Sequence, residues 1–221
     1  MAASEWRPSF RWDGQQPRRA TRPAWVSFVI SVLLAAVVTV SPAWATHTVP
    51  STCFGSAVGI SGTDGADTLT GTTGNNVMAS GDGDDTLWGR AGADKMCANH
   101  DWDVMHGEDG DDSLDGGNGD DVVYGEDQYD LLLGDYGVDT LRGQLGNDEV
   151  RGDENDDNVY GDSGADDIYG GAGETDLLYD GQGADHIDGG SGGSDEWRKC
   201  PDDDSETFVN IESTWQSTLW C

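Results

Sequence analysis

Between Gly62 and Asp188 a nine-residue unit, G-x-x-G-x-D-x-U-x with U a large aliphatic, recurs fourteen times. Gly62-Thr-Asp-Gly65-Ala-Asp67-Thr-Leu69-Thr is the first copy, and Gly107-Glu-Asp-Gly110-Asp-Asp112-Ser-Leu114-Asp is a later one. So short and constant a period points to a solenoid, in which each repeat buries its apolar side only by stacking on its neighbours. The eighth position is apolar in every copy: Leu69, Met78, Leu87, Met96, Met105, Leu114, Val123, Leu132, Leu141, Val150, Val159, Ile168, Leu178 and Ile187. Its two flanking positions are mostly polar, so x-U-x reads as a three-residue strand with one side chain pointing inward. The six residues before it read as a turn, with Gly at the first and fourth positions expected to supply positive φ. Two repeats per coil, one strand on each side, make an eighteen-residue coil and seven coils in all.

The sixth position carries the chemistry. It reads Asp67, Asn76, Asp85, Asp94, Asp103, Asp112, Asp121, Asp130, Asp139, Asp148, Asp157, Asp166, Asp176 and Asp185. In a two-repeat coil the odd copies form one carboxylate column and the even copies another. Stacked carboxylates repel each other, and a core of one aliphatic per repeat is thin. A ligand that binds only the folded state would offset both. Carboxylates and turn carbonyls are hard oxygen donors, the set that Ca²⁺ takes at six to eight positions. Two columns with six gaps each set a ceiling near twelve internal sites in the stacked arrangement.

On these residues the array, 62–188, resembles the RTX, or haemolysin-type, calcium-binding nonapeptide family, G-G-x-G-x-D-x-U-x, a repeat named among standard sequence signatures. The resemblance implies an all-β, right-handed parallel β-roll with calcium held in the turns by the sixth-position side chains and backbone carbonyls. The family's initial Gly-Gly doublet appears in this array only at Gly116-Gly117 and Gly170-Gly171. Repeat two has Asn76 for Asp, and repeat five starts at Ala98 with Asp101-Trp102 where Gly is expected. Gln128 and Asn155 stand at other fourth positions, and a one-residue slip is placed after Tyr169. Calcium occupancy is expected to be least secure at these turns.

The chain has 43 acidic and 11 basic residues, a formal charge of −32. That balance argues against a nucleic-acid partner. Residues 1–45 read as a signal peptide: Arg18, Arg19 and Arg22 precede an apolar run from Trp25 to Val40, and Ala43-Trp44-Ala45 fits a cleavage site. The expected location is therefore extracellular, with no membrane contact after cleavage. The alternative is an uncleaved N-terminal anchor at the cell surface. Four Cys follow, Cys53, Cys97, Cys200 and Cys221, with three possible pairings; we expect Cys53–Cys97 and Cys200–Cys221, the nearest partners.

Residues 46–61 are expected to cap one end and 189–221 the other, with Gly189–Gly193 as a flexible link. Catalysis is not expected. Sixteen residues between Ala45 and Gly62 leave no room for a catalytic domain, and no H-E-x-x-H motif occurs. Gly189-Gly-Ser191-Gly-Gly193 matches G-x-S-x-G only formally, lacking the strand-to-helix context. Asp153-x-Asn155-x-Asp157 opens like an EF-hand loop, but Asn158 and Gly164 replace the required Gly and Glu.

The ninth position of the odd repeats reads Thr70, Trp88, His106, Tyr124, Arg142, Tyr160 and Tyr179, one per coil on an outward face. It is expected to be a stabilising ladder. The alternative is a platform for a cell-surface polysaccharide or a partner protein.

Overall fold

The structure is a computed structural model that describes residues 49–199, 206–211 and 213–214. Residues 1–45, read above as a signal peptide, and Cys200 and Cys221, expected to pair, lie outside the described residues. Among the described residues every element is a strand. A short antiparallel hairpin, β1 (Thr52–Cys53) and β2 (Ser56–Ala57), comes first. The chain then alternates between two parallel sheets. One contains β3 (Ile60–Ser61), β5 (Val77–Gly81), β7 (Lys95–His100), β9 (Ser113–Asn118), β11 (Leu131–Tyr136), β13 (Glu149–Glu154), β15 (Asp167–Ala172), β17 (His186–Gly190) and β19 (Thr207–Val209). The other contains β4 (Thr68–Thr70), β6 (Thr86–Ala91), β8 (Val104–Asp109), β10 (Val122–Asp127), β12 (Thr140–Leu145), β14 (Asn158–Ser163), β16 (Leu177–Gln182), β18 (Glu196–Arg198) and β20 (Ser213–Thr214).

The register is the eighteen-residue coil that the repeat predicts. Leu69 pairs with Leu87, Val123 with Leu141, and Leu132 with Val150. The eighth-position aliphatics form the core, each fully buried from Leu69 to Ile187.

Three expectations need correction. First, most strands are six residues long and cover positions seven to nine plus one to three of the next repeat, with the eighth and first positions facing inward. The turn proper is only three residues. Second, left-handed backbone falls at the second and fourth positions rather than the first and fourth. The second position holds Arg90, Asn99, Glu108, Glu126, Asp135, Gln144, Asp153 and Asp162 at φ between 68° and 87°. First-position Gly has another reason, close approach. A β-carbon at Gly89 would lie 2.6 Å from both the Asp94 Oδ2 and the Gly107 carbonyl oxygen.

Third, the irregular copy is not slipped after Tyr169. Gly171 pairs with Asp153 and Ala172 with Glu154, so Gly170 is the first position and the extra residue sits in the turn between Gly173 and Asp176. The amides of Glu174 and Thr175 both donate to the Asp156 carboxylate there, at 2.7 and 3.0 Å.

The roll also extends beyond the repeat array as read from the sequence. Ile60 already pairs with Met78 at one end. At the other, Gly189–Gly193 is no loose link. It leads into β18, where Trp197 pairs with Leu178 and Asp195 is buried.

The hairpin is fastened to β7 by the Cys53–Cys97 disulfide, with the Cα atoms 5.8 Å apart and a sequence separation of 44. Closing a loop of that length removes denatured-state freedom. Cys53→Ser with Cys97→Ser should therefore cost about 2–4 kcal/mol in denaturant unfolding with calcium present.

Candidate metal centre

Each sixth-position side chain sits at the corner where a turn re-enters a strand. The Asp residues there are at most 4% exposed. Their two oxygens have different surroundings. Oδ1 accepts a hydrogen bond from the amide of the sixth residue one coil earlier. Asp67 N donates to Asp85 Oδ1, Asp85 N to Asp103, Asp103 N to Asp121, and on through Asp139, Asp157 and Asp176 to Asp195. The even column runs from Asn76 N to Asp94 Oδ1 and through Asp112, Asp130, Asp148 and Asp166 to Asp185. All these bonds span 2.6–3.1 Å.

In the repeats that begin with Gly the other oxygen faces that Gly. In Asp94, Asp103, Asp112, Asp121, Asp130, Asp139, Asp148, Asp157, Asp166 and Asp176 this Oδ2 is buried with no hydrogen-bond donor in reach. A buried carboxylate oxygen without a donor is costly unless a proton or a cation takes it.

The proton affinities reflect this. Burial pushes the carboxyls of Asp103, Asp130, Asp157 and Asp166 up to about 8. Those of Asp94 and Asp121 rise to about 7, and those of Asp112, Asp139, Asp148 and Asp176 to about 6. The amide hydrogen bond to Oδ1 opposes the shift in each, and negative neighbours reinforce it.

A divalent cation fits this donor set. No group of three or more His, Cys, Asp or Glu suited to a metal gathers among the described residues. Carboxylates alone would therefore not complete a coordination shell. Carbonyl oxygens are at hand: the Gly107 carbonyl and Asp94 Oδ2 approach the same point beside Gly89, and the Gly125 carbonyl and Asp112 Oδ2 do so beside Gly107. Buried carboxylate and carbonyl oxygens, with neither thiolate nor imidazole, suit a hard ion of the calcium type.

The sequence brings all fourteen sixth-position residues to these two columns, but not into equal surroundings. Asp67 and Asn76, the first members, bond to threonines instead. Asp195 continues the odd column as a fifteenth member that the sequence reading placed in the cap. Its signal was present as Gly190-Ser-Gly-Gly193-Ser-Asp195-Glu-Trp197-Arg198, obscured by one extra residue in the turn and by Trp in the aliphatic position.

A parallel β-roll with buried carboxylate columns at its corners is the class of protein that fold and site define. The chain belongs to the RTX calcium-binding nonapeptide repeat family, whose model matches residues 61–96, 101–132, 133–168, 142–175 and 160–193. No curated protein matches the chain.

The outward ladder forms as its positions predict. Trp88 stacks on His106 at 3.9 Å and His106 on Tyr124 at 4.9 Å. Arg142 lies over Tyr160, Tyr160 stacks on Tyr179 at 4.2 Å, and Arg198 covers Tyr179. Diagonal partners pin the ladder: Arg142 donates to both oxygens of Asp162, and His106 Nδ1 lies 2.9 Å from Glu126. Tyr160→Ala should remove about 2 kcal/mol of calcium-loaded stability in chemical denaturation, with calcium stoichiometry unchanged. Trp102, in the irregular fifth repeat, stands 49% exposed on a turn.

Proposed function

We propose that this chain is a secreted, non-catalytic calcium-binding protein whose roll is completed by calcium and serves a structural or adhesive role outside the cell. The observation that carries this reading is the paired columns of buried carboxylates, in which Asp94, Asp112, Asp121, Asp130, Asp139, Asp148, Asp157, Asp166 and Asp176 have one oxygen held by an amide and the other unmet. Bound calcium would supply divalent charge and a demand for several oxygen ligands. The residues offered to it are Asp94, Asp112, Asp130, Asp148, Asp166 and Asp185 on one side, and Asp121, Asp139, Asp157, Asp176 and Asp195 on the other. Their part is to hold Oδ1 fixed to the neighbouring coil, present Oδ2 inward and exclude water. First-position Gly leaves the space clear in every repeat of this set but the one that Asp180 opens.

The N-terminal Arg-rich and apolar segment with its Ala-Trp-Ala site supports export. Extracellular calcium is typically abundant enough for weak sites of about 10⁻⁴–10⁻³ M. The charge of −32 supports the absence of nucleic acid among its partners. The ladder's ring faces are spent on one another, which supports stabilisation over capture of a polysaccharide.

A calcium titration followed by circular dichroism and calorimetry tests the proposal. Sheet signal should grow with calcium, several ions should bind per chain, and magnesium at equal concentration should substitute poorly. An unchanged spectrum and melting point after chelation at pH 8 would refute it.

A further inference from the structure

The two carboxylate columns do not begin as they continue. Asp67 and Asn76 have no earlier sixth-position amide to cap, and their side chains turn into their own corners. Thr63 donates to Asp67 Oδ2 twice, through its amide and its hydroxyl, both at 2.7 Å. Thr72 N donates to Asn76 Oδ1 at 2.6 Å. Asn76 Nδ2 in turn donates to Thr72 Oγ1 at 3.0 Å and to the Gly74 carbonyl. A side-chain amide thus takes the kind of turn oxygen that a cation would otherwise seek. Thr63 and Thr72 stand at the second position but lack the left-handed backbone found there from Gly81 onward. That difference aims their amides at the corner.

The next odd corners are closed another way. Repeats three and five begin with Ser80 and Ala98 in place of Gly, and both are fully buried. Each puts a β-carbon at a position that is Gly in every other repeat but the fourteenth, where Asp180 stands. The Ser80 hydroxyl also donates to the Ala98 carbonyl at 2.7 Å. The even side has Gly at this position from Gly71 onward as far as Gly161, and the odd side regains it at Gly116. The same coils carry the hairpin, through the Cys53–Cys97 disulfide and a 3.0 Å hydrogen bond from Lys95 Nζ to Ser56 Oγ.

We propose that residues 52–100 form a starter that stands largely without metal: its first corners, at Asp67 and Asn76, are held by Thr63 and Thr72, and its Asp85 corner is crowded by Ser80. At the Asp103 corner the Ala98 methyl stands where most other repeats have a bare Gly. Asp94 is the one corner within it built like the later ones, and the calcium-dependent coils build from Asp112 on one side and Asp121 on the other. This rests on the calcium reading above and specifies where it stops. In a one-dimensional stack the first coil has no neighbour to pay for its ordering, whereas each later coil adds to a standing edge. A disulfide and side-chain hydrogen bonds at that end supply what calcium supplies further along, so the chain keeps a template when calcium is absent.

Hydrogen exchange with mass spectrometry on the full oxidised chain, in chelator and in millimolar calcium at pH 8, tests this. In calcium, peptides across the whole roll should be protected. In chelator, peptides within 60–97 should exchange at least about 100-fold more slowly than those within 112–188. Equal, fast exchange of both regions in chelator would overturn the starter while leaving calcium dependence intact. Equal protection of both in chelator would instead overturn the calcium reading. A second measurement addresses the corners directly. Ser80→Gly with Ala98→Gly should raise the calcium count in native mass spectrometry by one or two ions. An unchanged count would show that these side chains do not close their corners.

Discussion

Stripped of calcium at pH 8, the chain should lose most of its sheet signal, and the same metal-free sample should regain it when acidified to about pH 4. The sign follows from the direction of the carboxyl shifts. Folding raises the sixth-position carboxyls from Asp85 to Asp176 from the usual value of 3.8 to between about 6 and about 8. The folded state therefore binds protons that the unfolded chain has released. The stability this contributes is fully present below the unfolded value and is lost as pH rises through the folded one. With calcium the dependence reverses: binding requires the ionised form, expels protons, and strengthens as pH rises through about 6 to 8. Circular dichroism across pH 4–8, with chelator and with calcium, should give two curves of opposite slope. Metal-free stability that climbs with pH would defeat this account. Asp130→Asn keeps an acceptor for the Asp112 amide and removes a charge. It should raise metal-free stability at pH 8 and weaken calcium binding in the same column.

Gly137→Ala should be among the most damaging single substitutions in the roll. Gly137 is a fourth-position residue at φ 145°, beyond the left-handed region that Asn and Gln adopt, and its β-carbon would fall on the backbone oxygen of Gly119 one coil below. Backbone is on both sides of the clash, so no flexible side chain can yield. The expected cost is about 3 kcal/mol or more, read by denaturation in calcium, with loss of cooperativity between the coils on either side. By contrast, Gln128 and Asn155 occupy the same position in other repeats at φ 83°, which shows that the corner has two backbone solutions and that Gly137 uses the one closed to a side chain.

The sequence displays the periodic half of this structure plainly. Fourteen aliphatics at a nine-residue spacing dictate the core column, the eighteen-residue register and the pairing of Leu69 with Leu87. The sixth-position acids announce the corners. What stays hidden depends on hydrogen bonds between coils. The left-handed second position carries Glu, Asp, Asn, Gln and Arg, a composition that ordinarily signals a solvated turn and gives no hint of its backbone. The amide-capping duty of Oδ1 needs the neighbouring coil in place. The extra residue near Gly173 could sit anywhere between Tyr169 and Asp176 until the pairing of Ala172 with Glu154 fixes it. Asp195 escaped because the same irregularity recurs one coil later.

That recurrence has a consequence. The ten-residue copy ending at Tyr179 and the one ending at Arg198 carry their surplus at the same corner, with the amides of Gly193 and Ser194 bonding the carbonyls of Gly173 and Glu174. A corner lengthened in mid-stack would leave the coil above it without a matching ledge. The two long corners therefore serve as ledge and partner for each other, and the coil ending at Arg198 is fitted to the one ending at Tyr179 rather than to a nine-residue copy.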